Sequence, residues 1–593
     1  MEREDVGVLD GRDRSRREER KLMVKDSHLE FTLRKARMIS YSQLYGDEKP
    51  TVEELVGGIP TDEAVAWCSY LVFRKDNLKI GENDLHILIP LLFSLEGELQ
   101  QKVTAYLGDF YNGVDCLIDR YSMLRLTTHL IAHHNEESRE LTNEEKSRLF
   151  KAYLVQCDEY LERIGSIKSI PDNYTSEDML KQYLPVTLLT NDIESHVDSS
   201  IEVLKGKWFF IDFACKDKKF GKYVKDFIRE KGYDSAAKYL GYIFNISAKG
   251  IVHEPPTNII KFEEDSLKWV HFMDGMSVNY DDFGESGDLD VIRSKPVYRT
   301  ADDRYVILFW RFFVDKMFHG MLFDMAATLT ENGTFSDNKT AYAAIKQQVG
   351  ERFSEQYILY RTLENTLGRR MPVRWSGEDL HKVLKSGEPD YYARRNDRVM
   401  LFEFKDIRMD AGTKASLDYE RIRQKLQTCF VESEAGRPKG VKQIANVIKE
   451  KLRLILTDVD KMTPNGRLKI YSILVYTDCS FDIEGINYYL DGEFKKCLEG
   501  IEDRYEVKDL VMVNLTLLMK LENYFVNRKI ELDKVINEYI AYKNSKEQLN
   551  TVPFNKYLFQ YARRKGYDLK FSKSFHEMLK EMVMREKEEE SDS

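Results

Sequence analysis

The chain of 593 residues has only seven cysteines, Cys68, Cys116, Cys157, Cys215, Cys429, Cys479 and Cys497, and no CxxC pair. An odd, scattered set excludes a disulfide framework and a zinc ribbon, and points to a reducing, cytoplasmic setting with buried thiols. Long apolar runs are also missing. The longest, 85–93, is broken by His86 and Pro90 and is far short of the ~20 residues that span a bilayer, so no membrane is expected. The densely charged first 25 residues lack the apolar core of a signal peptide. No GxxxxGK[ST] loop occurs, which argues against a built-in ATPase, and there is no GxSxG elbow. His129, His133 and His134 form HxxxHH, but no HExxH order or third ligand accompanies them. Ordinary helix-face histidines are expected there rather than zinc.

The residues that are present describe a folded chain. Its composition is 42% hydrophobic and 12% aromatic, enough apolar surface to order most of it. Its length exceeds a single ordinary core, so several domains are expected. Residues 1–50 read as a charged tail or exposed helix. Region 51–184 reads as helical, with apolar residues at three- and four-residue spacing through Ala64, Val65, Cys68 and Leu71. Region 185–340 reads as a mixed α/β accessory region, with strands at 207–211 and 305–310. A cluster of small polar residues at 333–338 suggests a linker.

After it, helical and strand-like segments alternate. Helix is expected at 341–368, strand at 398–404, helices at 416–430 and 441–454, strands at 468–476 and 507–515, and helices at 518–525 and 532–542. This pattern predicts an α/β core over 341–545, with a central mixed sheet flanked by helices. A helical extension and acidic tail complete the chain at 546–593. The predicted fold class is multidomain α+β.

One segment carries chemistry. It contains Pro389-Asp390, a turn at Asn396-Asp397, and the run Arg398-Val399-Met400-Leu401-Phe402-Glu403-Phe404-Lys405. In a strand, Met400, Phe402 and Phe404 face one way, and Leu401, Glu403 and Lys405 the other. Two opposite charges on one face of an apolar strand are costly unless they meet each other or a metal. The turn returns Asp390 beside Glu403, and a divalent cation would relieve the repulsion between the two carboxylates. All-oxygen ligands of this kind suit Mg²⁺ or Mn²⁺. Lys405 would then orient a water or stabilise charge on a phosphate.

Pro-Asp followed by Glu-x-Lys at the end of a strand resembles the signature of the PD-(D/E)XK nuclease superfamily, over roughly residues 345–545. The resemblance implies a restriction-endonuclease-like core and Mg²⁺-dependent hydrolysis of nucleic-acid phosphodiesters, with DNA favoured over RNA. It also implies, by analogy, a defence or restriction-type role. Glu355 is matched to the glutamate of the helix before the sheet, with Glu364 as its rival, and Gln443 to the glutamine of the helix after the strand. The tripeptide alone is uninformative, since Glu493-Phe494-Lys495 and Glu144-Glu145-Lys146 also occur.

Local charge agrees with a nucleic-acid partner. Residues 361–470 hold 24 Lys and Arg against 16 Asp and Glu, in a chain of net charge -10. Arg369, Arg370, Arg374, Arg394, Arg395, Lys414, Arg421, Arg423 and Lys425 are the candidate phosphate contacts. The first 340 residues are expected to serve recognition, homo-oligomerisation or control by an activating partner. The alternative is a nuclease-fold protein that binds nucleic acid or assembles without cutting.

Overall fold

The computed structural model describes residues 38–578 and 580, apart from 79–81, 111–115, 166–174, 195–197, 253–256, 264–265, 284–288, 463–465, 502–504 and 570. Of the charged segment expected at 1–50, residues 1–37 lie outside the described residues and Tyr41–Tyr45 is a helix; of the extension and acidic tail expected at 546–593, 581–593 lie outside them. The protein is mixed α+β, largely helical, with two mixed sheets.

The N-terminal helices form around apolar stripes. The helix Asn143–Arg163 opens with a reciprocal cap. Thr142 Oγ1 accepts from the Glu145 N–H at 3.2 Å, while Glu145 Oε2 accepts from the Thr142 N–H at 2.9 Å. Glu144-Glu145-Lys146 is therefore a helix start. Val65, Cys68, Leu124, Phe150 and Leu154 from three helices make one core.

Strands β1 (Ile259–Lys261), β2 (Ser277–Val278), β3 (Val297–Arg299) and β4 (Arg304–Ile307) form the first sheet, in the order β1-β4-β3-β2. Only β2 and β3 run parallel. Alternation divides this sheet between two cores. Tyr298 and Val306 join the N-terminal core, whereas Val297, Tyr305 and Ile307 face a larger central one.

The second sheet comprises β5 (Val373–Ser376), β6 (Tyr391–Arg395), β7 (Arg398–Lys405), β8 (Leu468–Tyr476), β9 (Tyr505–Val507) and β10 (Val511–Asn514). Its order is β10-β8-β7-β6-β5, and β9 pairs with the start of β8. Strands β5, β6 and β7 make an antiparallel meander; β7, β8, β9 and β10 run parallel. Met400, Phe402, Phe404, Tyr471, Ile473 and Val475 face the central core. Val399, Leu401, Ile470, Leu474 and Tyr476 face a third core with Val441, Ile444 and Ile448. The sheet is thus covered on both sides, as parallel strands require.

Four readings change, the first being the strand expected over 305–310, which ends at Ile307 while Trp310 opens the helix Trp310–Asp315. The run 207–211 is helical, not a strand: it spans the end of Ser199–Lys207 and the π-wound turn Trp208–Phe213. Its rings pack in an aromatic cluster, with Phe209 in contact with Phe220, Phe318 and Phe353 at centroid separations of 5.2–5.7 Å. The strand expected over 507–515 is broken into β9 and β10. Residues 333–338 form a turn between the packed helices His319–Glu331 and Asn338–Gln348, where Phe323 stacks on Tyr342 at 4.1 Å.

The central core does not part at 340 or 545. It runs from Ile201 through Met325, Phe353, Phe402 and Tyr539 to Met578. A fragment cut to 341–545 exposes the apolar faces of Phe353, Leu359 and Leu363. Each buried Phe or Leu withheld from its partners forfeits roughly 1.5–3 kcal/mol. Such a fragment is expected to lack the cooperative unfolding transition that the full chain shows by circular dichroism.

Candidate active site

The β6–β7 hairpin sets the geometry. Tyr391 pairs with Phe402 and Tyr392 with Leu401, so the residue before β6 falls beside the end of β7. Asp390 Oδ2 accepts a hydrogen bond from the Phe404 N–H at 2.6 Å, which fixes it there. Gly377 N–H donates to the Asp390 carbonyl at 2.8 Å, and a Cβ on Gly377 would lie 3.1 Å from that oxygen. A side chain at 377 would therefore require the Asp390 backbone to give by a few tenths of an ångström where the helix Gly377–Leu384 starts.

Glu403 is 1% exposed. Its Oε1 accepts from Lys405 Nζ at 2.8 Å, and its buried Oε2 has no hydrogen-bond partner. Burial, then the neighbouring Asp390, pushes the Glu403 carboxyl up to about 8, against which Lys405 acts only in part. Burial also raises Asp390. Glu355, in the π-wound segment Val349–Leu359, is pushed up to about 7 by burial and then by Asp390. Its Oε1 is 3.3 Å from the Tyr360 hydroxyl that donates to it. Burial acts against the charge on Lys405, but Glu403 and Asp390 outweigh it and hold its pKa above the ordinary value.

Three carboxylates therefore surround one ammonium. The raised pKa values, caused first by burial, and the orphaned Oε2 describe a dry site whose carboxylate charge Lys405 compensates only in part. Hard oxygen donors of this type suit Mg²⁺ or Mn²⁺, and Asp390, Glu403 and Glu355 could hold one, but their ligand atoms do not all lie within 4.8 Å of one another as those of Glu202, Asp315 and His319 do. Glu364, the rival, is instead engaged by Arg374 at 2.9 Å and by the Tyr391 hydroxyl.

The helix Gly440–Asn446 covers the site from the third core. A Cβ on Gly440 would sit 3.0 Å from Leu474 Cδ1 and 3.6 Å from Lys405 Cε, so glycine again permits the close approach. Gln443, one turn on, shares that face, and its buried Oε1 is unpartnered.

A residue missed in the sequence anchors the arrangement. Asp406, directly after Lys405, accepts from Ser354 Oγ and Thr477 Oγ1, both at 2.7 Å, and pairs with Lys346 Nζ at 2.7 Å. It ties the helix carrying Glu355 to the ends of β7 and β8. Its carboxyl lies well below the ordinary range because Lys346 and its hydrogen bonds outweigh burial. A charged residue directly following a buried strand is the only local signal, since its partners lie 52–71 positions away.

The predicted phosphate contacts divide. Arg374 is held by Glu364 and the carbonyls of Gly368 and Met371, and Arg394 by Asp460, whose side chain is 1% exposed. Both are fastened in place by these contacts. Arg370 is likewise bound to Glu531 and the Arg528 carbonyl, and Arg395 lies 3.9 Å from Glu531. Lys414 pairs with Asp192, Arg423 with Glu420 and Lys425 with Asp410. Arg421 is exposed and has no ion pair among the described residues. The Arg369 side chain lies outside the description. Lys439, not singled out in the sequence, stands with Lys425 beside Cys429 and immediately precedes Gly440.

Other candidates resolve as structural. Glu493 and Lys495 lie in the helix Ile486–Cys497, not after a turn, and Lys495 pairs with Asp491 and Asp509. His129 and His133 stack at 4.2 Å. Glu202, Asp315 and His319 cluster closely enough to ligate an ion, but Lys205 already pairs with Glu202, and Arg408 stands 4.0 Å from Asp315.

No protein-family model, curated protein or solved structure matches this chain. No described helix is long and apolar enough to cross a membrane.

The pKa shifts predict a pH dependence. Glu403 binds a proton in the folded protein up to about pH 8 but releases it near 4.5 when unfolded. The folded state therefore holds more protons across this window, so the contribution of Glu403 to metal-free stability is fully present below 4.5 and is lost as pH rises towards 8. Glu355 adds the same sign up to about 7. Melting temperatures in EDTA are expected to drop over pH 5–8, and Mn²⁺ to reverse most of the drop at pH 8. A flat profile in EDTA would count against the buried carboxylate pair.

Proposed function

We propose that this protein is a divalent-metal-dependent nuclease of the PD-(D/E)XK type that hydrolyses phosphodiester bonds, preferentially in DNA. The carrying observation is Glu403: a buried carboxylate on an apolar strand, one oxygen orphaned, with Asp390, Glu355 and Lys405 around it. A meander followed by parallel strands, with helices on both faces, is the architecture a restriction-endonuclease-like core requires, and it supports the reading.

A bound Mg²⁺ would supply Lewis acidity towards a phosphate oxygen and a water. The chain's own groups do the rest. Glu403 is buried, while Asp390, Glu355, Lys405 and Gln443 keep some exposure. Lys405, kept protonated by its neighbours, offers charge to the phosphorane-like transition state. Gln443 offers an amide to hold a water or phosphate oxygen. Arg421, exposed and without an ion pair among the described residues, and Lys439, directly before Gly440, are candidate contacts for the polymer backbone. The large helical region leaves room for control by a partner or a second copy.

A second reading, nucleic-acid binding without cleavage, is favoured by the 2.8 Å Lys405–Glu403 pair, which on its own is a plain salt bridge. A panel of duplex DNA, single-stranded DNA and RNA with Mg²⁺, Mn²⁺ or EDTA separates the two. Cutting that requires metal, strongest on DNA, supports the nuclease. Binding that survives Lys405→Ala, with no cutting of any polymer, supports the second reading.

A further inference from the structure

The end of the second sheet remote from Glu403 carries a pocket of about 440 Å³. This lies within the ~300–1,000 Å³ usual for small-molecule sites. Its walls come from the first residue of β7, the start of β8, the residue after β9, and the helix Leu532–Lys543 with the residue that caps it. Arg398, Lys469 and Lys508 line it, with Asn537, Asn544 and the Tyr471 ring. Every charged residue in the lining is a cation.

The carboxylates that pair with these cations stand outside the lining. Arg398 is held by Asp533, whose side chain is 6% exposed, so its guanidinium is fixed in place. Lys508 pairs with Glu506 at 2.5 Å, and its N–H donates to the Ile470 carbonyl at 2.8 Å, which pins it to the edge of β8. Lys469 makes only a loose 3.4 Å contact with Asp397 in the β6–β7 turn. Asn537 Nδ2 donates to the Tyr471 hydroxyl at 2.9 Å. Three partly covered cations thus converge on one concavity with amides beside them. Ammonium groups and a forked guanidinium are the donors that phosphate oxygens match.

We propose that this pocket binds a small phosphate-bearing anion, such as pyrophosphate or the phosphate chain of a nucleotide. It is separate from the metal site. Arg398 and Glu403 are five residues apart on β7, about 17 Å at ~3.3 Å per residue. The inference does not rest on the nuclease reading.

Calorimetry on the full chain in EDTA, with pyrophosphate and ATP as probes, tests it. Wild type is expected to bind at least one probe saturably with Kd below about 1 mM, and Lys469→Gln/Lys508→Gln about tenfold more weakly or worse. Glu403→Ala/Lys405→Ala should bind like wild type, which separates this pocket from the metal site. Tighter binding of ATP would mean that more than phosphate is read; equal affinities would mean phosphate alone. Both lysines are partly exposed, and an unchanged melting temperature confirms a folded variant. If it melts early, Asn544→Asp, which adds a negative charge to the lining, replaces it in the comparison. No saturation by either probe up to about 5 mM, or an affinity unchanged in the folded variant, overturns the proposal.

Discussion

Glu403→Gln is expected to abolish cleavage and, at the same time, to stabilise the metal-free protein. The two effects share one cause. Glu403 is buried, and its carboxylate adds to a cavity where Asp390 and Glu355 already outnumber Lys405. Removing the charge relieves repulsion and leaves Lys405 with two carboxylate neighbours. At pH 8 in EDTA, where the wild-type group begins to ionise, the gain should be on the order of 1 kcal/mol, the scale on which uncharged replacements of buried charges stabilise. Metal affinity falls, and cleavage drops by about 10²–10³-fold or more, the scale for losing one transition-state contact. A purely structural Glu403–Lys405 pair predicts the opposite sign of stability change, because the substitution would strand a buried ammonium. Urea unfolding in EDTA, beside a cleavage assay, reads both.

Asp406→Ala should be among the most destabilising single changes in the second half of the chain. It deletes the partner of Lys346 and the acceptor for Ser354 and Thr477. Breaking a buried pair by removing one member costs about 3–5 kcal/mol, since the other charge stays buried and unpaired. Lys346, already lowered by burial, would be expected to lose its proton. The damage also reaches the site, because Ser354 adjoins Glu355. Asp406→Asn, which keeps the shape and one acceptor, should cost less stability yet still weaken Mn²⁺ binding measured by calorimetry. A loss below about 1 kcal/mol for the alanine variant would show that the network does not clamp the helix to the sheet.

The site was legible where its information is local. Alternation along 398–405 separates Met400, Phe402 and Phe404 from Leu401, Glu403 and Lys405, and the two sets face different cores. The turn at Asn396-Asp397 then dictates which residue returns beside Glu403, and Asn396 takes the left-handed backbone such a turn needs, with φ 54°. The resemblance put Glu355 ahead of Glu364, but the physical difference between them, Arg374 and Tyr391 engaging Glu364, is not a local signal.

Elsewhere local signals misled for physical reasons. Trp208-Phe209-Phe210-Ile211 has the residues strands favour, but that preference measures fit to a half-buried pleated surface. Here the rings fill an aromatic core on a helix instead. The polar cluster at 333–338 announces a turn, and turn chemistry is silent on whether the flanking helices pack together. The cationic count over 361–470 was correct, but it does not reveal which charges are spent on Glu364, Asp460 or Glu531.

The measurement that bears most directly on the whole account is cleavage of duplex DNA by the purified full chain, with Mg²⁺ or EDTA, beside Glu403→Ala/Lys405→Ala. The account predicts cutting by wild type in Mg²⁺, none in EDTA, and none by the folded double variant. Cutting that persists in the double variant, or wild type that stays silent on duplex DNA, single-stranded DNA and RNA with both Mg²⁺ and Mn²⁺, would contradict it.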